Sequence, residues 1–129
     1  KNQIYKIYIK EKKPYEISYI YENKIKKYFH NEKISFDLIL LGIGNDGHIA
    51  SLFMNNIESD NDKIVCQVSK EDFSRVTLTI KCINNARDIF LWAPGKKKKN
   101  IVKKIINDTA CKYPASFIKS SNKFLFYSN

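Results

Sequence analysis

At 129 residues the chain is long enough for one domain around a single hydrophobic core, and 43% apolar with 13% aromatic residues excludes wholesale disorder. The formal net charge is +10, but Arg75 and Arg87 are the only arginines and the lysines are spread along the whole chain, which argues against a nucleic-acid-binding face. No run approaches the roughly 18 to 20 apolar residues of a membrane span, and the start has no apolar signal core, so a cytoplasmic protein is expected.

In chain order, Ile4 to Ile9 is β-prone and breaks at Lys12-Lys13-Pro14. Tyr15 to His30 carries apolar residues at helical spacing, with glutamates early and lysines late, and is predicted as an amphipathic helix. Phe36 to Leu41 is a nearly continuous apolar run ending at Gly42, the pattern of a strand buried on both faces of a parallel sheet. A helical turn or two is predicted from Gly47 or His48, carrying Ile49, Ala50, Leu52 and Phe53 inward. Asn55 to Asp62 reads as a polar surface loop. Ile64 to Val68, Arg75 to Ile80 and Asp88 to Ala93 read as strands. After Pro94-Gly95, the spacing of Ile101, Val102, Ile105 and Ile106 predicts a helix over Lys96 to Asp108. Ala115 to Ile118 and Phe124 to Tyr127 are predicted extended. Strands alternating with helices give an α/β class with a largely parallel sheet in one domain.

The segment Gly42-Ile43-Gly44-Asn45-Asp46-Gly47-His48 follows a buried strand directly, and ligands of open α/β sheets bind at that end. Glycines at 42, 44 and 47 permit positive φ and close approach to backbone N–H groups, which can meet an anionic oxygen. A neutral imidazole at His48 can take a proton from water, and Asp46 can orient the ring or bind a substrate hydroxyl. The competing structural reading is that His48 caps the next helix and Asp46 stabilises the turn. A dinucleotide loop is disfavoured because no acidic residue ends a clear second strand about 20 residues on. Cys66, Cys82 and Cys111 are odd in number and irregularly spaced, and with His30 and His48 give neither a disulfide framework nor a metal set.

The run from Gly42 to Phe53 resembles the G-x-G-x-D-G-H-x-A-S-L-F motif of the 6-phosphogluconolactonases. Arg75-Val76-Thr77-Leu78-Thr79 is similar to that family's R-[VI]-T-L-T strand, Ile83-Asn84-Asn85-Ala86-Arg87 to its I-N-x-A-R turn, Gly95-Lys96-Lys97-Lys98 to its G-x-x-K helix start, and Pro114-Ala115-Ser116 to its P-A-S segment. Met54 and the stretch from Ser69 to Ser74 depart from the family's usual prolines. The related glucosamine-6-phosphate deaminases share D-G-H-I-A but use a glutamate five residues after the histidine, where this chain has Phe53.

The resemblance implies a Rossmann-like, largely parallel sheet flanked by helices, and hydrolysis of a phosphorylated sugar lactone in the oxidative pentose phosphate route, with no cofactor. It implies His48 as general base with Asp46 beside it, a substrate loop at Gly42, Gly44 and Gly47, and phosphate binding by Arg75 and Lys98, the latter chosen among Lys96 to Lys99 by spacing. The family's N-terminal S-G-G and D-E-R motifs are not found. With Lys1 first and Met54 the only methionine, the chain is expected to be the C-terminal half of a longer polypeptide, its partner being the missing N-terminal half. Fusion to glucose-6-phosphate dehydrogenase, as in some lineages, is compatible with this. The alternatives are an inactive or purely interacting fragment and a deaminase-like isomerase.

Overall fold

Pro14 opens helix α1 (Pro14–Tyr28) because its fixed φ suits a first helical position, and the Glu16 carboxylate folds back to accept the Lys13 N–H at 3.0 Å. The computed structural model describes residues 3–7, 9–30, 32–57, 62–70, 73–120 and 122–128. The helix stops at Tyr28, short of the predicted His30, which has φ +53°. Of the strand predicted over Ile4 to Ile9, Tyr8 lies outside the described residues, and the described residues lie in no strand and pair with no strand among the described residues.

Strand β1 (Leu38–Gly42) follows, then β2 (Val65–Lys70) and β3 (Phe73–Leu78) as an antiparallel hairpin. The hairpin packs on α1, and Ile17 and Ile25 of the helix are buried, as are Val65, Cys66 and Val68 of β2. In the predicted loop from Asn55 to Asp62, residues 58–61 lie outside the described residues, as do residues 71 and 72 between Ser69 and Ser74; the flanks of the loop are turns.

The strand predicted to run through Ile80 ends at Leu78, and Ile80–Asn84 form a short helix, α2. Thr79 causes the change. Its Oγ1 accepts the Cys82 N–H at 3.2 Å, capping the helix, and donates to the Lys63 carbonyl at 2.9 Å. Strand β4 (Asp88–Pro94) runs to Gly95, a three-residue 3-10 turn occupies Lys96–Lys98, and α3 (Lys99–Ile106) completes the predicted helix. The predicted extended segment from Ala115 to Ile118 is instead a 3-10 turn, Pro114–Phe117. Asp108 bends the chain there by accepting the N–H groups of Lys112 and Tyr113 and the Ser116 hydroxyl. Strand β5 (Lys123–Ser128) closes the fold.

β1, β4 and β5 form a parallel sheet in the order β1-β4-β5, so the class is α/β with a parallel sheet flanked by helices. One sheet face, carrying Ile39, Leu41, Ile89, Leu91 and Ala93, packs on Ile83 of α2 and on Ile101, Val102 and Ile105 of α3, with Ile49 and Leu52 filling the core. β1 is therefore not buried on both faces: its residues alternate, and Leu38 and Leu40 are exposed. Among the described residues, no helix is long and apolar enough to cross a membrane.

Candidate active site

Parallel pairing of β1 with β4 brings Gly42 beside Trp92, so the loops after both strands leave the same sheet edge. The first loop folds on itself. The Gly44 N–H donates to the His48 carbonyl at 2.8 Å, and the Gly47 N–H to the Gly44 carbonyl at 3.1 Å. Gly47 has φ +83°, and its carbonyl accepts the Ala115 N–H at 3.1 Å. The Tyr113 ring packs so closely on Gly47 that an added Cβ would lie 2.8 Å from it. The P-A-S turn thus forms the floor of the loop.

No helix follows His48. Ala50 has φ +50°, and isolated bridges pair Ile43 with Ile49 and Ile49 with Leu52. This tight double-back buries Ile49 and Leu52 together. With no helix to cap, the capping explanation for His48 falls away.

The His48 ring lies over Gly44, and Nδ1 sits 2.6 Å from Asp46 Oδ1, which also accepts the His48 backbone N–H at 3.2 Å. An ionised carboxylate can only accept, so the neutral imidazole holds its proton on Nδ1 and its lone pair on Nε2. Partial burial pushes the Asp46 carboxyl up, but the hydrogen bonds from the His48 ring and backbone and the ring's charge outweigh it, leaving the pKa below the ordinary Asp value. The side chains of His48 and Asp46 are 30% and 62% exposed, so the pair is open to solvent on one side.

Phe53 stacks against His48, with ring centroids 4.8 Å apart. Its centroid is 6.1 Å from that of Phe73, and the Arg75 guanidinium lies 4.1 Å over the Phe73 ring. Strand alternation explains the series: Phe73, Arg75 and Thr77 share one face of β3, and Thr77 Oγ1 accepts the Ser51 N–H at 3.2 Å in a buried contact. That bond docks the His48 loop onto β3 and brings Arg75 to the same wall.

The other predicted residues lie less centrally. Gly42 ends β1 on the exposed sheet face, where an added Cβ would meet nothing within 4 Å. Lys98 is half-buried in the turn after Gly95, at the same sheet edge, and among the described residues no hydrogen bond or ring contact joins it to His48, Asp46 or Arg75. The sequence reading missed Phe73, Thr77 and Tyr113; only the alternation of β3 could have placed the first two beside Arg75. Among the described residues, no group of three or more His, Cys, Asp or Glu could hold a metal ion.

A family model described as glucosamine-6-phosphate isomerases/6-phosphogluconolactonase matches residues 1–126. The chain belongs to this family. It is 34% identical over 119 residues to a 6-phosphogluconolactonase of Synechocystis, covering 88% of this chain and 50% of that protein. It is 38% identical over 93 residues to the human 6-phosphogluconolactonase, covering 68% and 36%. Among solved structures, the 6-phosphogluconolactonase of Thermotoga maritima superposes with a TM-score of 0.71 at 30% identity, covering 87% of this chain and 50% of that one. A structure named devB protein superposes at 0.78 with 28% identity, covering 91% and 52%. The chain therefore spans about half the length of the Synechocystis relative and of both structures. The position five residues after His48 is filled by the Phe53 ring, packed on the imidazole.

Proposed function

We propose that the longer protein to which this chain corresponds hydrolyses 6-phospho-D-glucono-1,5-lactone to 6-phospho-D-gluconate, with His48 as general base. The carrying observation is the 2.6 Å contact between His48 Nδ1 and Asp46, which leaves the Nε2 lone pair to take a proton from water. The resulting hydroxide attacks the lactone carbonyl, and the tetrahedral intermediate collapses with cleavage of the bond to the ring oxygen. The proton held on His48 passes to that leaving oxygen.

Asp46 acts as the orienting group, since its Oδ1 already receives two N–H groups of His48. The N–H groups of Gly44 and Gly47 are bonded within the loop, so the Asn45 N–H is the better candidate for the developing oxyanion. Arg75, an always-charged fork on the Phe73 ring, anchors the substrate phosphate, and Lys98 adds positive charge at the same sheet edge. Phe53 supports this reading over the isomerase one, because it puts a ring where proton shuttling needs a carboxylate. The reaction belongs to the oxidative pentose phosphate route, and three irregularly spaced cysteines suit a cytosolic setting.

The test is lactone hydrolysis by the polypeptide that includes the family's other half, compared with its His48→Ala variant. Loss of about 10² to 10⁴ in turnover is expected. A variant that keeps the parental rate removes His48 from the mechanism.

A further inference from the structure

Thr77 joins the two walls of the candidate site. It is 4% exposed and lies two residues from Arg75 on the same face of β3. Its hydroxyl donates to the Leu78 carbonyl at 3.1 Å and accepts the buried Ser51 N–H at 3.2 Å. From Ser51 the connection continues toward the imidazole. Asn56 Nδ2 donates to the Ser51 carbonyl at 3.2 Å, and Asn56 Oδ1 accepts the N–H of Phe53, whose ring stacks on His48.

His48 does not depend on this connection for its own geometry. Asp46 and Gly44 hold the imidazole within the loop, and the Gly47 carbonyl ties that loop to the turn at Ala115. Of these ties, the Thr77 bond is the one that reaches the strand carrying Arg75. A change at Thr77 therefore moves the loop as a unit against Arg75 and leaves the pair of His48 and Asp46 intact.

We propose that Thr77 is a positioning residue that sets the separation between the base and the phosphate anchor, so that a sugar phosphate held at Arg75 presents its carbonyl to His48. This rests on the lactonase reading. Binding energy at a remote phosphate speeds the reaction only when the anchored carbonyl meets the base, and a displacement of about 1 Å can cost about 10²-fold. A β-branched side chain, stiff about χ1, suits the task, because the acceptor it carries has little freedom to wander.

The experiment is a double-mutant cycle in the polypeptide that includes the family's other half. Thr77→Val keeps the shape of the side chain and removes the acceptor, whereas Thr77→Ser keeps the acceptor. With the phosphorylated lactone, Thr77→Val is expected to lower kcat about 10-fold with KM little changed, and Thr77→Ser to stay within about 2-fold of the parent. In an Arg75→Ala background, where the phosphate no longer fixes the carbonyl, Thr77→Val should cost at most about 2-fold. Equal losses in both backgrounds overturn the proposal, as does a loss in Thr77→Ser as large as that in Thr77→Val. If Thr77→Val does not fold, Thr77→Ala, which leaves room for water at the Ser51 N–H, takes its place in the cycle. Failure of the lactonase reading shows separately, as a parent without lactone hydrolysis. The nuclear Overhauser contact between isotope-labelled Phe53 and Phe73 rings then decides whether Thr77 sets the separation: it is expected to weaken in Thr77→Val and to persist in Thr77→Ser. A ring contact unchanged by loss of the acceptor overturns the positioning role.

Discussion

A Cβ built on Gly44 would lie 2.1 Å from Nδ1 of His48, closer than any van der Waals contact allows. Gly44 therefore serves as the seat of the imidazole. Gly44→Ala must push the ring off its contact with Asp46, and lactone hydrolysis is expected to fall about 10²-fold, a large part of what a general base contributes. Gly42→Ala, where the added methyl group meets open space, is the control for folding, and circular dichroism should show both variants folded.

Asp46→Asn keeps the size of the side chain and removes its charge. An amide can donate as well as accept, so the proton on Nδ1 is no longer enforced and part of the imidazole population carries it on Nε2, where it cannot act as base. A fall of about 10²-fold in kcat is expected with KM little changed. A large rise in KM at constant kcat would show instead that Asp46 binds a substrate hydroxyl.

Arg75→Ala should raise KM by about 10- to 100-fold through loss of charge-assisted hydrogen bonds to phosphate. Phe73→Leu removes the ring under the guanidinium together with its contact to Phe53, and a cation–π contact at an exposed site is worth about 0.5 to 1 kcal/mol, so KM should rise about 2- to 5-fold. Steady-state kinetics with the phosphorylated lactone and an unphosphorylated one separates the effects, since neither substitution should alter hydrolysis of the latter.

Asp108 holds the turn beneath the loop that carries His48. Partial burial pushes its carboxyl up, but the Ser116 hydroxyl and the N–H groups of Tyr113, Lys112 and Ala110 outweigh that and hold its pKa below the ordinary Asp value. A folded-state pKa below the unfolded one stabilises the fold above the unfolded value, and that stabilisation is lost as pH falls through the folded value. Asp108→Asn should therefore lower Tm at pH 7, and the gap from the parent should close in thermal melts taken at progressively lower pH. An equal gap at all pH values would show that charge has no part in it.

Burial, with the nearby Glu22 charge, pushes the Cys82 thiol up to about 12. The folded chain should therefore leave Cys82 unlabelled by iodoacetamide at pH 8 while the partly exposed Cys111 reacts, and urea should make Cys82 reactive.

Much of this architecture was legible wherever one short segment carries its own signal. Ile39 and Leu41 run into Gly42, Ile101 to Ile105 repeat at helical spacing, and the loop ending at His48 stands out by its glycines. The sequence could not show that Leu38 and Leu40 are exposed, because a short apolar run reads the same whether one face of the strand is covered or both. Ala50 misled the reading in another way: Ile49, Ala50, Leu52 and Phe53 look helical, but a left-handed alanine lets Ile49 and Leu52 enter the core from a tight reversal. Contacts distant in sequence, such as Phe53 with Phe73 and Asp108 with Ser116, leave no periodic trace. Thr79 was different: a threonine at the end of an apolar run is a recognisable cap, and the β-branched residues beside it hid it.

Glu22 lies on α1, remote in sequence from the His48 loop, and its Oε2 accepts the N–H groups of Ile64 and Val65, each at 3.1 Å. Those bonds fix where β2 begins, and β2 fixes β3 by pairing Val68 with Arg75. A slip of one residue in that pairing would turn Arg75 to the opposite side of the hairpin and away from Phe53. The helix carboxylate thus acts as a distant alignment pin for Arg75, and under the phosphate-anchoring role proposed for Arg75 a substitution at Glu22 would surface as a defect in substrate affinity, with no contact between Glu22 and substrate.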